Sequence, residues 1–247
     1  MAQKAAQTGP SPTVMVAFEQ HFPERARIIT DDLAYRILPF GMRAGTWLTL
    51  RLTSRDSLVK GTEKMMPGMW SGFMCRKRYI DDKVAEAVDA QVEAVVNLGA
   101  GFDTRAYRLP ALAEVPVWEV DQPENIDAKR SRLREVLKEV PTHVTLVPID
   151  FDHQELGAVL SSHGYAGDTR TFFIWEAVTQ YLTETGIRTT FGFLAKAPAG
   201  SRLAFTYVRK DFQKFIISRV HRNQVVQTHP SSLGRNQSRE ALLGASA

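Results

Sequence analysis

The segment Val95-Val96-Asn97-Leu98-Gly99-Ala100-Gly101-Phe102-Asp103-Thr104-Arg105, followed by Val117-Trp118-Glu119-Val120-Asp121, constrains this chain more than any other stretch. A short apolar run enters a glycine turn, and a second apolar run ends on a carboxylate 22 positions after Gly99. This is the spacing of the first two strands of a nucleotide-binding α/β sheet. There, glycines admit a ligand close to the backbone, and the acid ending the next strand accepts hydrogen bonds from ribose hydroxyls.

The third position of the glycine pattern separates ligand classes. In G-x-G-x-x-G the last glycine lets the following helix pack against the strand and face a pyrophosphate. Thr104 stands at that position, preceded by Asp103, and a carboxylate repels a pyrophosphate at a helix N-terminus. An NAD-dependent oxidoreductase is thereby disfavoured. An acid just after the glycines suits a ligand with positive charge nearby, and S-adenosyl-L-methionine, with its sulfonium and ammonium, is such a ligand. A purely structural role for the glycines, as a tight turn between strand and helix, stands as the alternative and is weakened by Asp121.

Downstream, strand patterns alternate with helix patterns. Strands are expected at Ala94–Leu98, Val117–Val120, Thr145–Pro148, Phe172–Trp175 and Leu203–Val208, with helices around Thr104–Leu109, Gln122–Val140, His153–Ser162 and Thr183–Ala195. That alternation predicts βαβ crossovers and a mainly parallel sheet with helices on both faces. Ligands sit beyond the carboxyl ends of such strands. Those ends here are Gly99, Asp121, Asp150 and Glu176.

Upstream the chain reads as helical: a short helix from Thr13 stopped near Pro23, a second over Asp31–Leu38, an amphipathic stretch over Arg43–Lys64 and a long helix over Ser71–Ala90. The expected organisation is a disordered start (1–12), a helical lid (13–66), a ligand-binding core (67–208) and an atypical basic tail (209–247).

Composition narrows the class. The single cysteine, Cys75, leaves no internal disulfide and fits a reducing cytosol. No apolar stretch approaches the roughly 20 residues that span a bilayer, and the start lacks the apolar core of a secretory signal. A cytoplasmic protein without membrane contact is expected. From Arg209 onward there are seven basic and two acidic residues, while the preceding 208 residues carry 24 basic and 25 acidic ones. The basic excess therefore belongs to the tail, without the dense block of charge that binds nucleic acid. The histidines are too scattered for a metal site, and no nucleophile elbow is present.

Five separated motifs carry a family resemblance. The run Asn97–Leu109 resembles the first motif of the leucine carboxyl methyltransferase-like O-methyltransferases. Glu119–Glu124 and Trp175–Thr183 resemble that family's second-strand and fourth-strand motifs, and Ile29–Ala34 and Arg76–Asp82 match upstream. The resemblance spans roughly residues 13 to 210 and implies a Rossmann-like methyltransferase fold that uses S-adenosyl-L-methionine. It also implies roles for individual residues. Arg76, or its neighbour Arg78, would pair with the methionine carboxylate. Gly99 and Gly101 would admit the methionine moiety, and Asp103 would take the ammonium directly or through water. Asp121 would bind the ribose, Asp150 the adenine amino group, and Glu176 would sit near the ammonium and sulfonium. Asp150 has a second reading as a helix N-cap. Tyr181 and Tyr79 are candidates for positioning a carboxylate of a small molecule or peptide, with no strict catalytic base. Oligomeric state is not written in the sequence.

The family's last two strands have no counterpart after about Asp211, which reads as a shortened end. A degenerate, inactive binding or interaction protein is the competing expectation.

Overall fold

The computed structural model describes residues 11–151 and 153–209; the expected disordered start and nearly all of the basic tail lie outside them. Five strands form one parallel sheet in the order β3-β2-β1-β4-β5. They are β1 (Ala94–Leu98), β2 (Val117–Asp121), β3 (Val144–Pro148), β4 (Thr171–Trp175) and β5 (Arg202–Phe205). Every residue of β1 and β4 is buried, the continuous burial that a sheet covered on both faces demands.

Alternation along the strands divides the core. Val95, Val117, Phe172 and Ile174 face one side, against α5 (Met69–Asp89), α6 (Arg105–Arg108) and α7 (Pro123–Leu137). Val96, Leu98, Phe173 and Trp175 face the other, against α8 (Leu156–Ser162) and α9 (Glu184–Leu194). The chain runs outward from β1 to β3 and returns across β1 to β4. The switch point between β1 and β4 leaves a crevice at the strands' carboxyl ends, the usual ligand position in this architecture.

The N-terminal elements are α1 (Ser11–Glu19), α2 (Ala34–Ile37), α3 (Phe40–Leu52) and α4 (Arg55–Met65). Val16, Ala17, Phe22, Ile29, Ala34 and Leu38 share a small core with Trp70 and Met74 at the start of α5. The helix expected over Asp31–Leu38 shrinks to a single turn. Asp31 Oδ1 accepts the Leu33 and Ala34 amides ahead of it, and Pro39 follows its end. The stretch Arg43–Lys64 is two helices rather than one. Ser54 caps α4 by accepting the Ser57 amide, and such a cap favours restarting a helix over continuing one.

The apolar period of α3 also faces the other way from the expected core. Trp47, Leu48 and Leu52 are exposed, whereas Thr46 is buried. Among the described residues no helix is long and apolar enough to cross a membrane.

Candidate functional site

The glycine turn after β1 is built by backbone geometry. Gly99 and Gly101 have φ of 71° and 45°, in the left-handed region. At Gly99 a Cβ would also stand 2.2 Å from Val178 Cγ2. The turn thus packs against the segment that follows β4, and no side chain fits between them. The Gly99 and Ala100 amides donate to Val120 O, which locks the turn to β2.

Asp121 ends β2 and gathers three donors. Its Oδ2 accepts the Gly101 amide at 2.6 Å, and its Oδ1 accepts the Gln122 amide and Asn125 Nδ2 at 2.7 Å each. The carboxylate is fixed in place, and Oδ2 keeps acceptor capacity for a further donor. Beneath the turn, Glu119 pairs with Lys129 at 2.8 Å, both fully buried. Tyr107 Oη donates to Glu119 at 2.6 Å, and Lys129 Nζ also donates to Asp103 O at 2.8 Å. Burial pushes the Glu119 carboxyl up despite Lys129. This triad anchors the loop that carries Asp103.

A buried ionic network joins four elements. Arg105, at the start of α6, lies at its centre with 2% of its side chain exposed. It donates to Asp81 at 2.6 Å, Asp103 at 2.5 Å and Glu176 at 2.8 Å. Lys77 reaches Asp103 and Glu176 at 3.4 and 3.5 Å, and Arg76 Nε donates to Glu176 at 2.8 Å. Arg108 contacts Asp81 and Asp31, and Thr104 Oγ1 donates to Asp31 at 2.5 Å. Thr104, at the expected third-glycine position, thus ties the N-terminal turn to the core.

The network sets the protonation of its acids. Burial opposes ionisation of Asp103, but Arg105, Lys77 and Lys129 outweigh it and hold the carboxyl well below its usual range. Burial likewise opposes ionisation of Glu176. Lys77, Arg105 and Arg76 prevail there and bring it down to about 2. Both acids are charged at neutral pH.

These groups surround a cavity of about 320 Å³. Arg76, Lys77, Gly99, Gly101, Asp103, Asp121 and Glu176 line it with Gln122, Asn125 and Phe151. Met15, Met69, Phe73, Gln180, Tyr181 and Leu182 line its apolar side. Gln180 Nε2 donates to Ala177 O at 2.9 Å, while its buried Oε1 has no partner among the described residues. Ala177 holds φ 59°, a left-handed conformation unusual for a residue with a Cβ. The turn after β4 is therefore strained where it meets the cavity.

Three expected site residues lie elsewhere. Arg78, two positions beyond Arg76, falls on the far side of α5 and pairs there with Asp82 at 2.8 Å on the exposed surface. Tyr79 is 61% exposed and stacks beneath Lys83. Asp150 does not line the cavity. Ile149 takes the buried position after β3, and Asp150 turns outward to His153 Nδ1 at 2.8 Å. The N-cap reading of Asp150 also fails, because α8 starts later and Glu155 caps it by accepting the Gly157 and Ala158 amides. Sequence reasoning missed Lys77, Arg105, Asn125 and Gln180. Lys77 was findable: Trp70, Met74, Lys77, Asp81 and Val84 form one buried stripe at helical spacing.

The sequence model of the family described as leucine carboxyl methyltransferase matches residues 11–195. A Mycobacterium avium (strain 104) protein named as an S-adenosyl-L-methionine-dependent methyltransferase is 33% identical over 198 residues, 78% of this chain and 64% of its own length. A second from that strain, named alike, is 34% identical over 154 residues, 62% of this chain and 50% of its own. One from Mycobacterium sp. (strain KMS), also so named, is 35% identical over 154 residues, 62% of this chain and 49% of its own. The chain thus spans about half to two thirds of the length of these relatives. The family model covers 185 of the 247 residues, about three quarters of the chain, and the chain belongs to the leucine carboxyl methyltransferase family.

Proposed function

We propose that this protein is an S-adenosyl-L-methionine-dependent O-methyltransferase whose acceptor is a carboxylate of a small molecule or peptide. The observation that carries the reading is the convergence, on one crevice at the sheet's switch point, of groups matched to each part of that molecule. Asp121, pinned by three donors, offers a ribose acceptor, and Asn125 and Phe151 flank it. Asp103 and Glu176, both ionised, suit an ammonium and a sulfonium. Among the described residues Arg76 bonds through Nε alone, to Glu176, which leaves its terminal nitrogens for a carboxylate. The Gly99 turn packs directly against Val178, where any side chain would collide, and the two together form part of the crevice wall.

When bound, S-adenosyl-L-methionine supplies an electrophilic methyl group on a sulfonium. The chain's own residues have little bond chemistry to perform, because a carboxylate is already a competent nucleophile. Their work is alignment and water exclusion, worth several kcal/mol in a well-oriented site. Met15, Met69, Phe73 and Leu182 form a dry wall, and Tyr181 lies among them to orient the acceptor. Pro12, Thr13 and Met15 bring the start of α1 over the crevice, consistent with a lid. A dinucleotide is a poor fit, since Asp103 is locked in its charged form where a pyrophosphate would bind.

Calorimetric titration tests the reading. Micromolar binding of S-adenosyl-L-methionine is expected, with no NAD binding, and Asp121→Ala should weaken it tenfold or more, about 1.4 kcal/mol. Folded protein that binds no S-adenosyl-L-methionine would overturn the assignment. Methyl transfer from labelled donor to a carboxylate panel then tests the acceptor class.

A further inference from the structure

Every carboxylate oxygen that faces the expected ammonium position already has a partner from within the chain. Asp103 Oδ1 accepts the Arg105 amide, and its Oδ2 accepts Arg105 and Lys77. Glu176 Oε1 accepts Arg76, and its Oε2 faces Arg105 and Lys77. A ligand ammonium joining Asp103 and Glu176 beside Arg76, Lys77 and Arg105 would crowd a fourth positive charge against them, so exchange for a resident cation keeps the charge balanced.

The three cations are not held equally. Arg105 is buried and makes charged hydrogen bonds to three acids at 2.5 to 2.8 Å. Arg76 holds Glu176 at 2.8 Å and stacks over the Phe73 ring at 4.6 Å. Lys77 bridges the same two acids at 3.4 and 3.5 Å, longer than a good charge-assisted bond. It is a compact ammonium on a flexible four-carbon stem, and it lines the cavity. Lys77 presents to Asp103 and Glu176 the same chemical group that an amino acid ligand would bring.

We propose that Lys77 is a resident counter-ion that occupies the ammonium position of the methyl-donor site and is displaced from Asp103 and Glu176 when the donor binds. The inference rests on the methyl-donor reading above. No covalent bond changes: one ammonium exchanges for another, and the charge of the acid pair stays compensated in both states. That compensation explains how two buried acids persist in the cavity wall, where uncompensated charge is costly. Its other consequence is competition, because the donor must displace Lys77 to bind.

The test compares wild type with Lys77→Met and Lys77→Gln by calorimetry at fixed pH and salt. One ligand is S-adenosyl-L-methionine; the other is 5′-methylthioadenosine, which keeps the adenosine half and lacks ammonium and carboxylate. Both variants should bind S-adenosyl-L-methionine about tenfold tighter than wild type, with 5′-methylthioadenosine binding unchanged. Weaker or unaltered S-adenosyl-L-methionine binding in the folded variants would overturn the proposal, weaker binding pointing to Lys77 as a carboxylate ligand. Parallel gains for both ligands would overturn it too, because the effect would then not involve the ammonium. Should one variant fail to fold by circular dichroism, the other supplies the comparison. Wild type that binds neither ligand would sink the methyl-donor reading, and this inference with it.

Discussion

Gly99 shows most plainly how a single residue makes the crevice possible. It combines a left-handed backbone with a Cβ position 2.2 Å from Val178 Cγ2. Gly99→Ala is expected to lower stability by about 2–5 kcal/mol, from roughly 1–2 kcal/mol of backbone strain and about 1–3 kcal/mol of overpacking. Urea unfolding checks it. Adding Val178→Ala should recover the overpacking part but not the backbone part. This residue was legible in the sequence because a G-x-G turn has few physical alternatives. Arg76 and Arg78 were not separable, since two adjacent arginines on an unplaced helix look alike until its buried face is known. Asp150 was misplaced because a strand-end acid can turn toward the crevice or away, and the local turn to His153 decides.

At the scale of elements, the alternating strands and helices of the core were readable to within a few residues, since a strand buried on both faces leaves a continuous apolar run. The N-terminal helices were less so. The apolar period of α3 was visible, but not that Trp47, Leu48 and Leu52 face solvent; period reveals a helix and not which side the protein covers. The site is assembled by joining elements, and the turn that follows β4 contributes Glu176. Its folded value of about 2 lies below its ordinary 4.5. Its ionisation thus favours the folded state above about pH 4.5, and that contribution is lost as the pH falls toward 2. Glu176→Gln should flatten the pH dependence of the urea midpoint across that window. An unchanged profile would place the acid sensitivity in other carboxylates.

For the whole molecule, ligand binding and stability are linked. S-adenosyl-L-methionine at about 100 times its dissociation constant should stabilise the fold by about 2.7 kcal/mol. For a chain of this size that raises the melting temperature by roughly 5 to 10 °C. Scanning calorimetry reads this directly, with NAD as the ligand expected to leave the transition where it is. Family and sheet architecture were legible at this scale because five motifs in fixed order constrain one another. The charge balance within the crevice was not, since it depends on pairs far apart in sequence. Arg76 and Glu176 are separated by 100 residues, and Thr104 and Asp31 by 73. Contacts of that range close large loops and carry an entropic cost that neighbouring contacts do not. Their formation therefore awaits the sheet and its flanking helices. The crevice is thus expected to form late in folding, with native-state hydrogen exchange showing it open while the strands beneath remain paired.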